Sequence, residues 1–184
     1  MPIFRSRLQG DLLAALLVVP GTELTLTALA GRTGGSLAAV QREVERLEEA
    51  GLLRSRRVGN ARLVAADPAS PAAVPLAELV TLSFGPVQVL AEEFDGIAGV
   101  ELLEVFGSWA ARYAGERGTP PADVDVLVVG TPDRDAVHDA AARAERRIGL
   151  PVNATVVAAQ RWATGADGFV TRVRAAPRVP VPGR

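Results

Sequence analysis

Apolar residues recur along this chain with two different periods, and the places where the period changes mark its organisation. Leu8, Leu12, Leu13, Leu16 and Leu17 stand at helical spacing and Pro20-Gly21 ends the run, so residues 6–18 are predicted to form one amphipathic helix. A short extended piece, TELTL, follows, and then TALAGRTGG, which reads as a brief helix closed by Gly34-Gly35. Ser36 is placed to cap a further helix that carries Leu37, Val40, Val44 and Leu47 on one face. Two strand-like runs come next, on either side of Val58-Gly59-Asn60-Ala61, a composition suited to a hairpin turn.

Residues 67–99 read differently. DPASPAAVP is rich in proline and small residues and hands over to a helix from about Ala73 to Ser83. Gly85-Pro86 breaks that helix, and PVQVLAEEFDGI supplies another, with Val87, Leu90, Ala91 and Phe94 at helical spacing. From Val100 strands and helices alternate: VELLEVF, a helix from Trp109 to about Glu116, VDVLVVG, a helix from Asp133 to Ile148, and PVNATVV. The nearly continuous apolar run of VDVLVVG argues for a strand buried inside a sheet that helices cover on at least one face. The expectation is a two-domain α+β or α/β chain. Residues 1–66 and 100–184 are its domains, and 67–99 form a helical connector.

Composition narrows the chemistry. The 184 residues are 48% hydrophobic and 22% charged, ordinary for a globular protein of one large or two small domains. The absence of cysteine excludes disulfides, thiolate metal sites and a cysteine nucleophile. Leu12–Val19 is too short to span a bilayer, and with Asp11 before it and no small-residue cleavage site it does not read as a signal peptide. A cytoplasmic protein without a membrane partner is expected. The only histidine, His138, falls in what reads as a surface helix.

The net charge of -1 conceals a local patch: Arg54, Arg56, Arg57 and Arg62, with no acid between Gly51 and Ala66. A helix from Ser36 to Ala50 would turn Ser36, Gln41, Arg42 and Arg46 toward the major groove of double-stranded DNA, while those four arginines neutralise phosphates. Glu43, Glu45, Glu48 and Glu49 share the helix, so only its N-terminal half is expected to approach DNA closely. The stretch RTGGSLAAVQREVERLEEAGLLRSRRVGNARLV resembles the winged helix-turn-helix domains of bacterial repressors of the arsenic-repressor-like type. That resemblance implies DNA binding and transcription regulation. Winged helices followed by such a helix often form a two-fold homodimer, here with Leu12 and Leu16, or Val87, Leu90 and Phe94, at the seam.

Asp123 and Asp125 are one residue apart, so in a strand they point to the same side while Val124 points to the other. Two like charges so placed favour a divalent cation such as magnesium, which takes carboxylate oxygens together with the phosphates of a nucleotide. Gly107, at a strand end, suits a close approach of backbone to phosphate, and Ser108, at the start of a helix, offers amide and hydroxyl donors to it. FGSWAARYAGERGTPPADVDVLVVG resembles the signature of the DNA polymerase beta-like nucleotidyltransferases, in particular their minimal branch. The resemblance implies a small mixed sheet with helices, a nucleoside triphosphate held at Gly107-Ser108, and Asp123 and Asp125 as catalytic ligands of magnesium. It also implies a third carboxylate on a later strand, where this chain has Asn153, a neutral ligand that cannot act as a base. The loop at 116–122 is longer than in compact members. From about residue 10 to 180 the chain resembles a bacterial group that fuses the two domains and ends in a helical segment like QRWATGADGFVTRVRAAPRV.

The function expected from these features is a dimeric DNA-binding transcriptional regulator whose second domain binds a magnesium nucleotide in the manner of a sensor. Two alternatives stay open: an active nucleotidyltransferase that modifies a protein, RNA or small molecule, and an antitoxin-like module of a toxin-antitoxin pair. Asn153 leaves open whether the chain is an enzyme.

Overall fold

The helices of the first half begin where hydroxyl side chains hold the leading amides. The backbone N–H of Gln9 donates to Ser6 Oγ at 3.2 Å, that of Ala28 to Thr25 Oγ1 at 3.1 Å, and that of Ala39 to Ser36 Oγ at 3.3 Å. These caps open α1 (Arg7–Leu17), α2 (Leu26–Thr33) and α3 (Leu37–Glu49). The computed structural model describes residues 4–116, 121–165 and 167–183. Residues 117–120 of the long loop, and residue 166 of the segment expected to be helical, lie outside the described residues.

The chain divides into two compact units, Met1–Gly85 and Pro86–Arg184, each mixed α and β with its own small sheet. In the first, β1 (Glu23–Thr25), β2 (Leu53–Val58) and β3 (Ala61–Ala66) form an antiparallel sheet in the order β1-β3-β2. Gly34 closes α2 with a left-handed φ of +69°, which frees Ser36 to start α3 two residues later. Leu12, Leu13 and Leu16 of α1, Leu29 of α2, Val40, Val44 and Leu47 of α3 and Val64 of β3 make one core. Val80 of α4 (Ala73–Phe84) joins it, and the Phe84 ring lies where a side chain at Gly10 would stand.

That core revises the expected seam. Leu12 is 0% and Leu16 1% exposed inside the first unit, and in the second Leu90 and Phe94 are buried while Val87 is half-buried. Four of the five side chains expected between copies are therefore occupied within the chain. By length and composition alone, Ala73–Glu93 is the one stretch of the described residues able to cross a membrane. It consists of two helices, because Gly85 is extended between α4 and α5 (Pro86–Glu93).

The second unit is a four-stranded mixed sheet in the order β6-β5-β4-β7, from β4 (Val100–Phe106), β5 (Val124–Gly130), β6 (Val152–Val157) and β7 (Val179–Pro180). β5 runs parallel to β6 and antiparallel to β4. Between β5 and β6 comes α7 (Arg134–Ile148), capped by Asp133, with Val137, Ala140, Ala144 and Ile148 buried and His138 exposed. Leu127 and Val129 of β5 and Val157 of β6 form a second face with Val170 and Val173 of α9 (Gly168–Ala175); Trp162 of α8 (Ala159–Thr164) packs on it.

Two expectations for this unit are corrected. The helix expected from Trp109 to about Glu116 is α6 (Gly107–Tyr113), which begins earlier and ends sooner, with Gly107 and Ser108 in its first turn. The last part of the segment expected to be helical leaves α9 and adds β7 to the edge of β4, pairing Val179 with Val105 and Pro180 with Glu104. Proline is tolerated on such an edge because it has no ladder partner to lose on its outer side.

Candidate nucleic-acid interface and carboxylate site

In α3 the residues with hydrophobic side chains at Val40, Val44 and Leu47 face the core and leave Ser36, Gln41, Arg42 and Arg46 exposed. The hairpin beside it turns at Gly59, whose φ of +56° supplies the left-handed step between Val58 and Ala61. Strand alternation then sorts its arginines onto two faces. Arg54 and Arg56 share one face, and their rows across the sheet run through Ala65 to Glu23 and through Leu63 to Thr25. Arg57 pairs with Arg62 on the other.

The eight positions expected to meet DNA fall into two groups. Ser36 Oγ is engaged as the cap of α3, and Gln41 donates to Glu45 Oε1 at 2.9 Å. Arg46 pairs with Glu43 at 2.9 Å and Arg62 with Glu48 at 2.5 Å, while Arg56 meets Glu23 with both Nε and Nη2. Arg42, Arg54 and Arg57 are exposed and form no ion pair among the described residues.

Glu43 also stands apart from the polar face on which the sequence placed it. Its side chain is 5% exposed, accepting from Arg5 at 2.8 Å, Gln9 at 2.9 Å and Arg46 at 2.9 Å. A carboxylate with that many donors is satisfied, and it ties the start of α1 to the middle of α3. The signal for it was weak: Glu43 sits between Val40 and Val44 in the heptad-like spacing, at the border of the apolar stripe.

The second site lies at one end of the second unit's sheet. Register sets Asn153, Asp125 and Phe106 in one row across β6, β5 and β4, so the three share a side. The Asn153 amide nitrogen donates to Asp123 Oδ2 at 3.0 Å and to Asp125 Oδ1 at 3.4 Å. Only the NH2 end of an amide can face two carboxylates, so Asn153 separates the two charges with a pair of neutral donors. Burial pushes the Asp125 carboxyl above its ordinary range; the Asn153 hydrogen bond lowers it and the Asp123 charge raises it. Gly107, with φ +71°, lies so near that a Cβ there would stand 2.5 Å from Asp125 Oδ2. Backbone can approach this carboxylate, and a side chain at 107 cannot.

The donor set fits one hard cation and not a pair. Among the described residues no group of three or more His, Cys, Asp or Glu side chains gathers to hold a metal ion. Two carboxylates suffice for magnesium when phosphate oxygens complete its shell. The same face of the sheet carries a cluster that the sequence did not suggest. Glu104, 7% exposed, pairs with Arg178 at 2.6 Å, and Arg174 and Arg178 lie 4.9 and 5.5 Å from the Trp162 ring centre. Arg178 reaches Glu104 because β7 returns the chain to β4.

No family model matches the chain, and no curated protein does. Among solved structures it is similar to a double mutant of Lactococcus lactis ZitR, at 22% identity and a TM-score of 0.37, over 52% of this chain and 66% of that one. The chain thus spans just under two thirds of that structure's length.

Proposed function

We propose that the chain is a DNA-binding transcriptional regulator in which the first unit is a winged helix-turn-helix domain. The observation that carries this reading is the set of exposed arginines without an ion pair among the described residues, Arg42 on α3 and Arg54 and Arg57 on the hairpin, in one compact unit. Arg42 and Gln41 are the side chains for base edges; Arg54 and Arg57 are cations for phosphates. The reading is tested by selecting genomic fragments with the full chain. A shared sequence is expected among the retained fragments, and Arg42→Ala is expected to relax it. Failure to retain any duplex at low salt would remove the proposal.

A second reading concerns the second unit, and the approach of Gly107 to Asp125 favours it. Asp123 and Asp125 would hold one magnesium ion, and Ser108, exposed in the first turn of α6, would donate to a phosphate of the same nucleoside triphosphate. When bound, the cation supplies charge to offset the phosphates. Asn153 holds the carboxylates apart and supplies neither a third negative ligand nor a base. We therefore assign nucleotide binding as a sensor rather than nucleotidyl transfer. Calorimetry with magnesium and each nucleoside triphosphate tests binding, and labelled-nucleotide incorporation tests transfer; rapid incorporation would favour the enzyme.

A further inference from the structure

We propose that Glu23, together with Glu48 and Glu43, is an internal phosphate surrogate that neutralises the cations of the first unit and weakens its sequence-independent hold on DNA. This rests on the DNA-binding reading of that unit. The acids come from two elements, Glu23 from β1 and Glu43 and Glu48 from α3, and each meets at least one arginine from outside its own element. Glu23 of β1 reaches across β3 to engage Arg56 of β2 through two nitrogens. Glu48 of α3 takes Arg62 of β3 at 2.5 Å, and Arg62 Nε also donates to Ser55 Oγ at 3.0 Å. Glu43 takes Arg5 and Arg46 at 2.8 and 2.9 Å. Arg46, Arg56 and Arg62, three of the cations expected to face DNA, are thus paired with carboxylates, as is Arg5, while Arg42, Arg54 and Arg57 form no ion pair among the described residues.

The consequence follows from what drives non-specific binding. A duplex gains affinity by releasing one condensed counterion for each phosphate that a cation neutralises. An arginine already matched to a carboxylate adds no net charge there, and it contributes only if phosphate displaces the acid. Surface pairs of this kind are weak enough to be displaced, yet each displacement leaves a carboxylate facing the DNA backbone. The effect is the same for every sequence, because every sequence carries phosphates. It lowers the background affinity and leaves discrimination to the base-facing residues of α3.

Glu23 gives the cleanest test, since the pair lies on the surface and Glu23→Gln keeps the shape of the side chain. Binding of the full chain to a duplex of arbitrary sequence is followed by fluorescence anisotropy over a range of salt. Glu23→Gln is expected to bind more tightly than the unmutated protein at low salt. Its log affinity should fall more steeply with log salt, by about 0.9 for the one cation released. Glu48→Gln should act likewise through Arg62. Adding Arg56→Gln to Glu23→Gln should return the slope to its starting value, which a general loosening of the fold would not do. Unchanged slopes in both single variants, with binding intact, would overturn the inference. If no duplex binds at all, retention on heparin separates the two proposals. Later elution of Glu23→Gln, reversed by Arg56→Gln, would uphold the neutralisation while the DNA reading falls; identical elution would overturn both.

Discussion

Arg56 and Arg57 are adjacent in sequence and differ in what they can offer a phosphate. Arg57 forms no ion pair among the described residues, whereas Arg56 is held by Glu23 and keeps its proton more firmly because of that hydrogen bond. Arg57→Ala is therefore expected to reduce the slope of log affinity against log salt by about 0.9. Arg56→Ala should change it by much less; equal losses in anisotropy titrations would contradict the pairing. At the carboxylate site, Asp125→Asn is expected to weaken magnesium-nucleotide binding by at least tenfold, about 1.4 kcal/mol. Calorimetry in which Asp125→Asn binds as the unmutated protein does would remove the metal-site reading. Strand alternation made it legible that Asp123 and Asp125 share a side, whereas Asn153 was reached only through the family resemblance, and its place beside them comes from the parallel pairing of β6 with β5. The sequence did not make Arg56–Glu23 legible, since no local spacing encodes a contact between residues 33 apart.

Element boundaries followed from caps and glycines wherever a single residue decides them, as Ser36 and Gly34 do for α3 and α2. They were less legible where tertiary pairing decides. β7 is two residues long, one of them proline, and is a strand only because β4 is beside it. Glu43 shows the same limit: its neighbours mark it as polar surface, and two of its donors are Gln9 of α1 and Arg5 just before that helix, 34 and 38 residues away. Glu43→Ala should destabilise the first unit by about 1–3 kcal/mol, the consequence of deleting a buried acceptor of several hydrogen bonds. Hydrogen exchange should quicken in α1 and α3; unchanged protection there would show that the network holds nothing in place. The cap of α9 makes a pH prediction. Arg161's hydrogen bond, and then the Val170 amide, hold the Asp167 carboxyl at about 2. Its unfolded value is about 3.9, so its contribution is complete above that pH and is lost as pH falls through about 2. Carboxyl carbon shifts should titrate near the lower value, and a midpoint near that of a free aspartate would refute the cap.

At the scale of the whole molecule, the two units carry different chemistry, arginine in the first and paired carboxylates in the second. Leu12 is 0% exposed, so Leu12→Ala is expected to lower the stability of the first unit by about 2–5 kcal/mol. A urea titration with unchanged stability would instead return Leu12 to an interface between copies. The central claim, that the first unit reads DNA through α3 and the free arginines of its hairpin, is met most directly by one comparison. The affinity of the full chain for a duplex chosen from its own genomic selection is measured beside that of Arg42→Ala, each against a scrambled duplex. Preferential binding of the chosen duplex is expected, with Arg42→Ala losing the preference while keeping most of its hold on the scrambled one. Equal affinity of the unmutated protein for both duplexes, or no binding to either at low salt, would contradict it.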